Sequence, residues 1–347
     1  MKLLELLGIN FPVIQAPMAG VQGSALAIAV SEAGGLGSLP CATLSPDAMR
    51  GELAAIRAAT GRPFNVNFFC HTAPGPDPVR EAAWRAALSR YYEEYGIDTE
   101  TISAGPERAP FSAEAADALE EFRPAVVSFH FGLPSASLMA RVKAASAAIL
   151  GCATTLEEAA WLEARGVDAI IAQGFEAGGH RGMFLSDDLT TQAGTFALLP
   201  QIVKQVKVPV IAAGGIADAQ GVSAAFALGA AAVQVGTAYL LCPEATTRAL
   251  HRAALKSPTA RHTAITNIIS GRPARGIVNR IMRELGPINS AVPAFPRAAR
   301  AIAPLRSKAE SQGSDDFSTL WCGQNAGGCK EIPAAELTRA LVEGARG

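Results

Sequence analysis

The 347-residue chain reads as an α/β protein, a (β/α)8 barrel with an additional smaller lobe. Three observations predict this. Short apolar runs recur along the chain, unbroken enough to be parallel strands covered on both faces. Alanine-rich helical stretches alternate with them. Finally, two consecutive runs late in the series end in glycine, where a barrel keeps its ligand-binding loops.

The runs lie at residues 11–16, 36–39, 64–69, 125–131, 148–153, 169–173, 209–213 and 232–236. Their number is that of a closed (β/α)8 TIM barrel. Helical patterns fall between them, for example at 24–32, 156–164 and 219–228. An open doubly wound sheet is the rival architecture, but no GxGxxG fingerprint opens the first helix. Two stretches are too long to be crossovers. One follows Cys70 and opens with APGPDP before a helical stretch at 79–95; the other is the tail, with a mostly helical start at 243–254. The expected division is therefore a barrel of residues 1–70 and 123–241, with residues 71–122 and 242–347 forming an insertion and C-terminal lid over the substrate.

Composition narrows the class of ligand. Hydrophobic residues make up 49% of the chain and charged residues 18%, with a net charge of −1. Such a balance supplies a large core and no basic field for nucleic acid or a membrane surface. The N-terminal apolar stretch is interrupted by Glu5 and makes a poor signal peptide. The apolar stretch 223–241 carries Gln234 and fits a buried barrel segment better than a membrane span. The expectation is a cytoplasmic enzyme for a small molecule, with a homodimer allowed. The six cysteines form no CxxC pair and no zinc-ligand spacing, so no metal is expected.

The clearest site signal is the segment VPVIAAGGIADAQGVSAAFALGAAAVQVGTAYLL. Its first strand ends at Gly214 and Gly215, and Asp218 is placed to cap a helix. Its second ends in Gln234, Gly236 and Thr237. Glycines let backbone NH groups approach an anion closely, and helix N-termini complete the cradle. By count these are the loops after barrel strands seven and eight, a common phosphate position. Tight turns alone would also account for the glycines.

Other strand ends add candidates. Ala16, Pro17 and Met18 follow the first strand, where small residues and a fixed turn let a flat ring lie against backbone; Met18 can equally be core filler. Asn67 ends the third strand, pointing either to a ligand or to a core hydrogen bond. After the sixth strand, Gln173, Gly178, Gly179 and His180 describe a loop wrapped against something, with one ionisable side chain on it. His130 ends the fourth. Two histidines at the active end of a barrel argue for a functional role of at least one. His71, His251 and His262 have weaker contexts.

At these residues the chain resembles the nitronate monooxygenase family, formerly called 2-nitropropane dioxygenases. The resemblance rests on PVIQAPMAG, GGLGSL, NVNFF, VSFHFG, AQGFEAGGHRG, IAAGGIAD and AVQVGTAYL, spanning residues 12 to 240. AGGHRG with SFHFG is similar to the class I members; AAGGI and QVGT are shared by many FMN barrels. The resemblance implies FMN, lined by Met18, Asn67, Gln173, Gly178, Gly179, Gly215, Gln234, Gly236 and Thr237. It implies oxidation of alkyl nitronates or nitroalkanes, such as propionate 3-nitronate, by O2 to a carbonyl compound and nitrite. His180 and His130 match the family's active-site histidines. His180 takes the base or anion-binding role here, and His130 the supporting one. The tail departs from the class I pattern, since the stretch from Ala294 to Lys308 offers no tyrosine. An NAD(P)H-dependent FMN reductase of quinones or enoyl thioesters is the alternative. Further rivals are a flavin-free lyase or isomerase of a phosphorylated metabolite and a non-catalytic FMN binder.

Overall fold

The computed structural model describes residues 3–102, 109–145 and 147–345. Its strands are β1 (Val13–Gln15), β2 (Gly37–Pro40), β3 (Phe64–Phe69), β4 (Val126–His130), β5 (Ala148–Ala153), β6 (Ala169–Gln173), β7 (Gly179–His180), β8 (Val210–Ala213), β9 (Ala232–Val235), β10 (Thr263–Thr266) and β11 (Ala274–Ile277). Eight of these form one parallel sheet in the order β1-β9-β8-β6-β5-β4-β3-β2. A parallel bridge between Ile14 and Leu36 joins its two ends. Gln15 N donates to Leu36 O and Leu36 N to Val13 O, both at 2.9 Å. The sheet therefore closes into a barrel rather than lying open, and each of the eight apolar runs supplies one of its strands.

Period-two alternation divides the strand residues between two cores. Ile14, Leu150, Cys152, Ile171, Ile211 and Ala213 share an inner cluster with Leu3 and Leu7 of the first helix. Val13, Val66, Val127, Ile149, Ile170 and Val233 pack outward against the surrounding helices. Both faces of most strands are thus largely apolar, which is why the strands read as hydrophobic runs; β3 departs from this, with Asn65 and Asn67 on its inner face.

A further apolar core lies beside the barrel. Helix Pro78–Tyr95 of the insertion brings Trp84, Leu88, Tyr91 and Tyr92 against Ile302 and Leu305 of helix Ala298–Ser311, and against Phe317. The Trp84 indole NH donates to Ala298 O at 3.3 Å, satisfying the one polar atom of a fully buried ring. The last long helix, Ala334–Val342, instead returns to the barrel's outer layer through Ala334, Leu337, Leu341 and Val342.

The early tail departs from the expectation of helix over 243–254. The helix there is Ala249–Lys256, preceded by irregular chain. Pro243 and the β-branched pair Thr246 and Thr247 disfavour a continuous helix. The segment is tied to outside partners: Thr246 N donates to Val21 O at 2.8 Å, while the Glu244 side-chain carboxylate accepts from Ala334 N at 3.1 Å. Among the described residues no helix is long and apolar enough to cross a membrane.

Candidate active site

A cavity of about 580 Å³ opens at the carboxyl ends of the barrel strands. Its wall includes all fourteen residues singled out from the sequence: Ala16, Pro17, Met18, Asn67, His130, Gln173, Gly178, Gly179, His180, Gly214, Gly215, Gln234, Gly236 and Thr237. The fold brings them together because each lies at or just past the same end of a strand of one parallel barrel.

The two glycine loops form one side. Gly214 and Gly215 follow β8 with φ of +112° and +75°, backbone that residues with a Cβ rarely adopt. The chain then turns into helix Ala219–Ala227, whose first turn is capped by Asp218 accepting from Gly221 N at 2.8 Å. Gly236 and Thr237 follow β9 and enter a short 3-10 helix, Thr237–Leu241. A tail segment covers these loops. Gly323 N donates to Thr237 Oγ1 at 2.9 Å, Asn325 Nδ2 to Gly215 O at 3.0 Å, and Gln324 N to Glu176 O at 2.9 Å. Gly178 makes this approach possible, since a Cβ there would lie 2.5 Å from Gly323 N.

The amides of the wall divide into those already engaged and one that is not. Asn67 Nδ2 donates to Ser128 Oγ at 2.9 Å, so this asparagine makes a core hydrogen bond while lining the cavity. Gln173 Nε2 donates to His180 O at 3.0 Å, and its Oε1 accepts from Gly182 N at 2.7 Å. Both ends of Gln173 therefore hold the histidine loop. Gln234 Oε1, by contrast, is buried with no hydrogen-bond partner. An orphaned polar atom at this depth costs about 1–3 kcal/mol unless a ligand meets it.

The His180 loop is fixed from several directions. Strand β7 pairs antiparallel with β11, setting His180 opposite Ala274. The next residue, Arg181, is fully buried and donates to Gly174 O at 2.6 Å, Gln173 O at 2.8 Å and Gln192 Oε1 at 3.0 Å. Burial pushes its guanidinium down to about 10, still charged near neutrality. His180 Nε2 lies 2.8 Å from Ser270 Oγ. Around its ring stand Phe295 at 5.4 Å, Trp321 at 5.5 Å, Phe131 at 6.0 Å and Phe69 at 6.1 Å between centroids.

His130 has a different environment. Its Nε2 is 3.2 Å from His180 O, and because a carbonyl only accepts, that nitrogen carries the proton. Burial drives its pKa down to about 3, helped by the charges of Arg272 and Arg181, so the ring is neutral in the working range. The two residues after it, Phe131 and Gly132, both have positive φ, at 68° and 87°. A phenylalanine in that region marks strain held by its surroundings, here beside the cavity.

Several residues of the site, some lining the cavity and some packed on His180, escaped sequence reasoning. Ser270, Phe295, Trp321 and the 323–325 segment reach the site from the tail, far from any barrel strand in sequence. The local signal, a tryptophan followed by glycine and amides, identifies a packed turn and not its destination.

Comparison with known proteins fits this geometry. The family model described as nitronate monooxygenase matches residues 1–344. A nitronate monooxygenase of Pseudomonas aeruginosa is 44% identical, covering 100% of this chain and 99% of that protein. Nitroalkane oxidase from Streptomyces ansochromogenes superposes with a TM-score of 0.89 at 38% identity, covering 99% of this chain and 98% of that one. FabK from Thermotoga maritima superposes at 0.73 and 26% identity, over 100% and 96% of the two chains. The match runs through barrel, insertion and tail alike, and the chain belongs to the nitronate monooxygenase family, as an oxidoreductase of that type.

Proposed function

We propose that the chain binds FMN in this cavity and oxidises alkyl nitronates, propionate 3-nitronate among them, with O2 to a carbonyl compound and nitrite. The observation that carries the reading is that one cavity joins the two glycine loops and the orphaned Gln234 Oε1 to His180. When bound, FMN supplies the acceptance of an electron pair and its passage to O2. Backbone NH groups around Gly214, Gly215, Gly236 and Thr237 hold the phosphate. Ala16, Pro17 and Met18 flank the ring system, and Gln234 offers it a polar contact.

His180 carries the substrate chemistry. As a neutral imidazole it takes the α-proton of a nitroalkane; when protonated it holds the oxygens of a nitronate, which already bears its charge. Ser270 orients the ring, and the four aromatic neighbours exclude water around it. His130 acts on the backbone. Its Nε2–H and the Gln173 amide both donate to the His180 carbonyl, fixing where the catalytic ring stands.

The test is to mix the purified protein anaerobically with propionate 3-nitronate while following the flavin spectrum. Reduction by nitronate alone, with nitrite formed on admitting air, is the expected result. The likeness to FabK favours a second reading, an NAD(P)H-dependent FMN reductase on the same barrel. Bleaching only by NADH or NADPH would establish that reading instead, and a protein that holds no flavin would overturn both.

A further inference from the structure

The cavity continues past the residues assigned above, to a wall that includes Arg248, His251, Arg306, Glu310 and Thr319. The charges there are unevenly paired. Glu310 is taken up by Arg248 at 2.6 Å and by the Ser318 hydroxyl at 2.8 Å. Arg306 is half-buried and donates to Thr319 Oγ1 at 3.1 Å, but among the described residues it has no ion-pair partner. Glu310 is the one carboxylate acting on Arg306, and it is shared with Arg248, so the two guanidiniums leave this wall with a net positive charge that an anion would complete.

His251 stands on the same wall. It is 4% exposed, and its Nε2 is buried with no hydrogen-bond partner. The ring also hydrogen-bonds to the backbone of Trp321, whose indole lies 5.5 Å from the His180 ring. Trp321 thus joins this end of the cavity to the end where His180 works. The one proton of the neutral ring goes to the Trp321 backbone, which leaves Nε2 an acceptor; the Arg306 guanidinium and the Thr319 hydroxyl supply the donors that complement an oxyanion.

We infer that Arg306 and Thr319, beside His251, form a second subsite, one that binds a carboxylate or phosphate group on the molecule entering the cavity. The inference deepens the reading under Proposed function and rests on it for the identity of that molecule. Two sources share this chemistry: the carboxylate of an acid nitronate, and the phosphate of a nicotinamide nucleotide. The short link through Trp321 favours the first. Propionate 3-nitronate has such a carboxylate and propyl 1-nitronate has none.

The experiment compares the flavin-loaded protein with its Arg306→Gln and Arg306→Lys variants. Malonate is a direct probe of the subsite: it should raise the Tm of the parent protein, do so less for Arg306→Lys, and fail to do so for Arg306→Gln. In turnover, Arg306→Gln should raise KM for propionate 3-nitronate about tenfold or more, the loss expected for a charged hydrogen bond. Its kcat, and both constants for propyl 1-nitronate, should stay within about twofold, which a merely structural role would not predict. Unchanged nitronate constants with about tenfold weaker NADPH or NADH binding would assign the subsite to the nucleotide phosphate. Equal malonate shifts in parent and Arg306→Gln, or equal losses on both nitronates, would overturn the inference. If neither nitronate is oxidised by the parent protein while malonate still discriminates the variants, the activity reading fails and the subsite stands.

Discussion

The imidazole of His130 donates to the main-chain carbonyl of His180 across 3.2 Å, so one cavity histidine holds the other by its backbone. The two share a cavity but face different surroundings: His130 is buried and neutral, whereas His180 meets Ser270 and a ring of aromatic side chains.

That division predicts a separation of roles. His180→Asn should retain bound FMN, because the phosphate cradle is built from the glycine loops after β8 and β9, yet lose roughly 10²–10⁴ in turnover, the range for a general acid–base group. Flavin absorbance and nitrite release measure the two quantities. Unchanged turnover would remove His180 from the chemistry.

The neutral state of His130 makes stability depend on pH. Its pKa is about 3 in the fold and about 6.5 in an unfolded chain, so between those values the unfolded state binds the extra proton. Stability should therefore rise with pH through this window and fall as pH drops from 6.5 towards 3. His251, lowered by burial to about 4, adds to the same slope. His130→Gln should show a shallower decline of Tm between pH 7 and pH 4 than the parent protein; identical slopes would count against the buried neutral state.

Gln234 offers a test of the cradle in which two readouts move in opposite directions. Gln234→Leu removes the orphaned Oε1, so the flavin-free protein should be as stable as the parent or slightly more so. FMN affinity should fall by about 1–3 kcal/mol, or roughly tenfold to a hundredfold in Kd. Calorimetry and FMN titration would measure the pair, and unaltered affinity would show that the flavin does not meet this amide.

Gly178→Ala tests the closure of the tail over the loops. The new methyl would meet Gly323 N at 2.5 Å and Cys322 C at 2.7 Å, both backbone atoms. Overpacking of this kind costs about 1–3 kcal/mol, and displacement of 323–325 should release flavin as well as lower Tm. A variant with parental Tm and flavin content would place the tail elsewhere.

Arg181 should be the most sensitive of the structural residues. Arg181→Met removes donors from Gly174 O, Gln173 O and Gln192 Oε1 in a fully buried setting. About 3 kcal/mol of stability should be lost, with the His180 loop loosened in hydrogen exchange. A loss below about 1 kcal/mol would mean that other contacts hold the loop.

Local physics made much of this protein legible before its structure. Strands buried on both faces are mostly apolar, so the eight runs of the barrel stand out along the chain. Turns at positive φ favour glycine, which marked Gly214 and Gly215, and Asp218 announced the helix that follows them. Because every parallel strand delivers its carboxyl end to the same rim, recognising the barrel was enough to bring His130, His180, Asn67 and Gln234 to one cavity. What the sequence could not express was how side-chain valences are shared across distant segments. Gln173 looks like a ligand contact, yet both its amide ends hold the His180 loop. Ser270, Phe295, Trp321 and Arg306 are ordinary tail residues until packing of the tail on the barrel carries them to the site. Their positions depend on contacts between residues far apart in the chain, which no local periodicity records, and only the folded arrangement decides them.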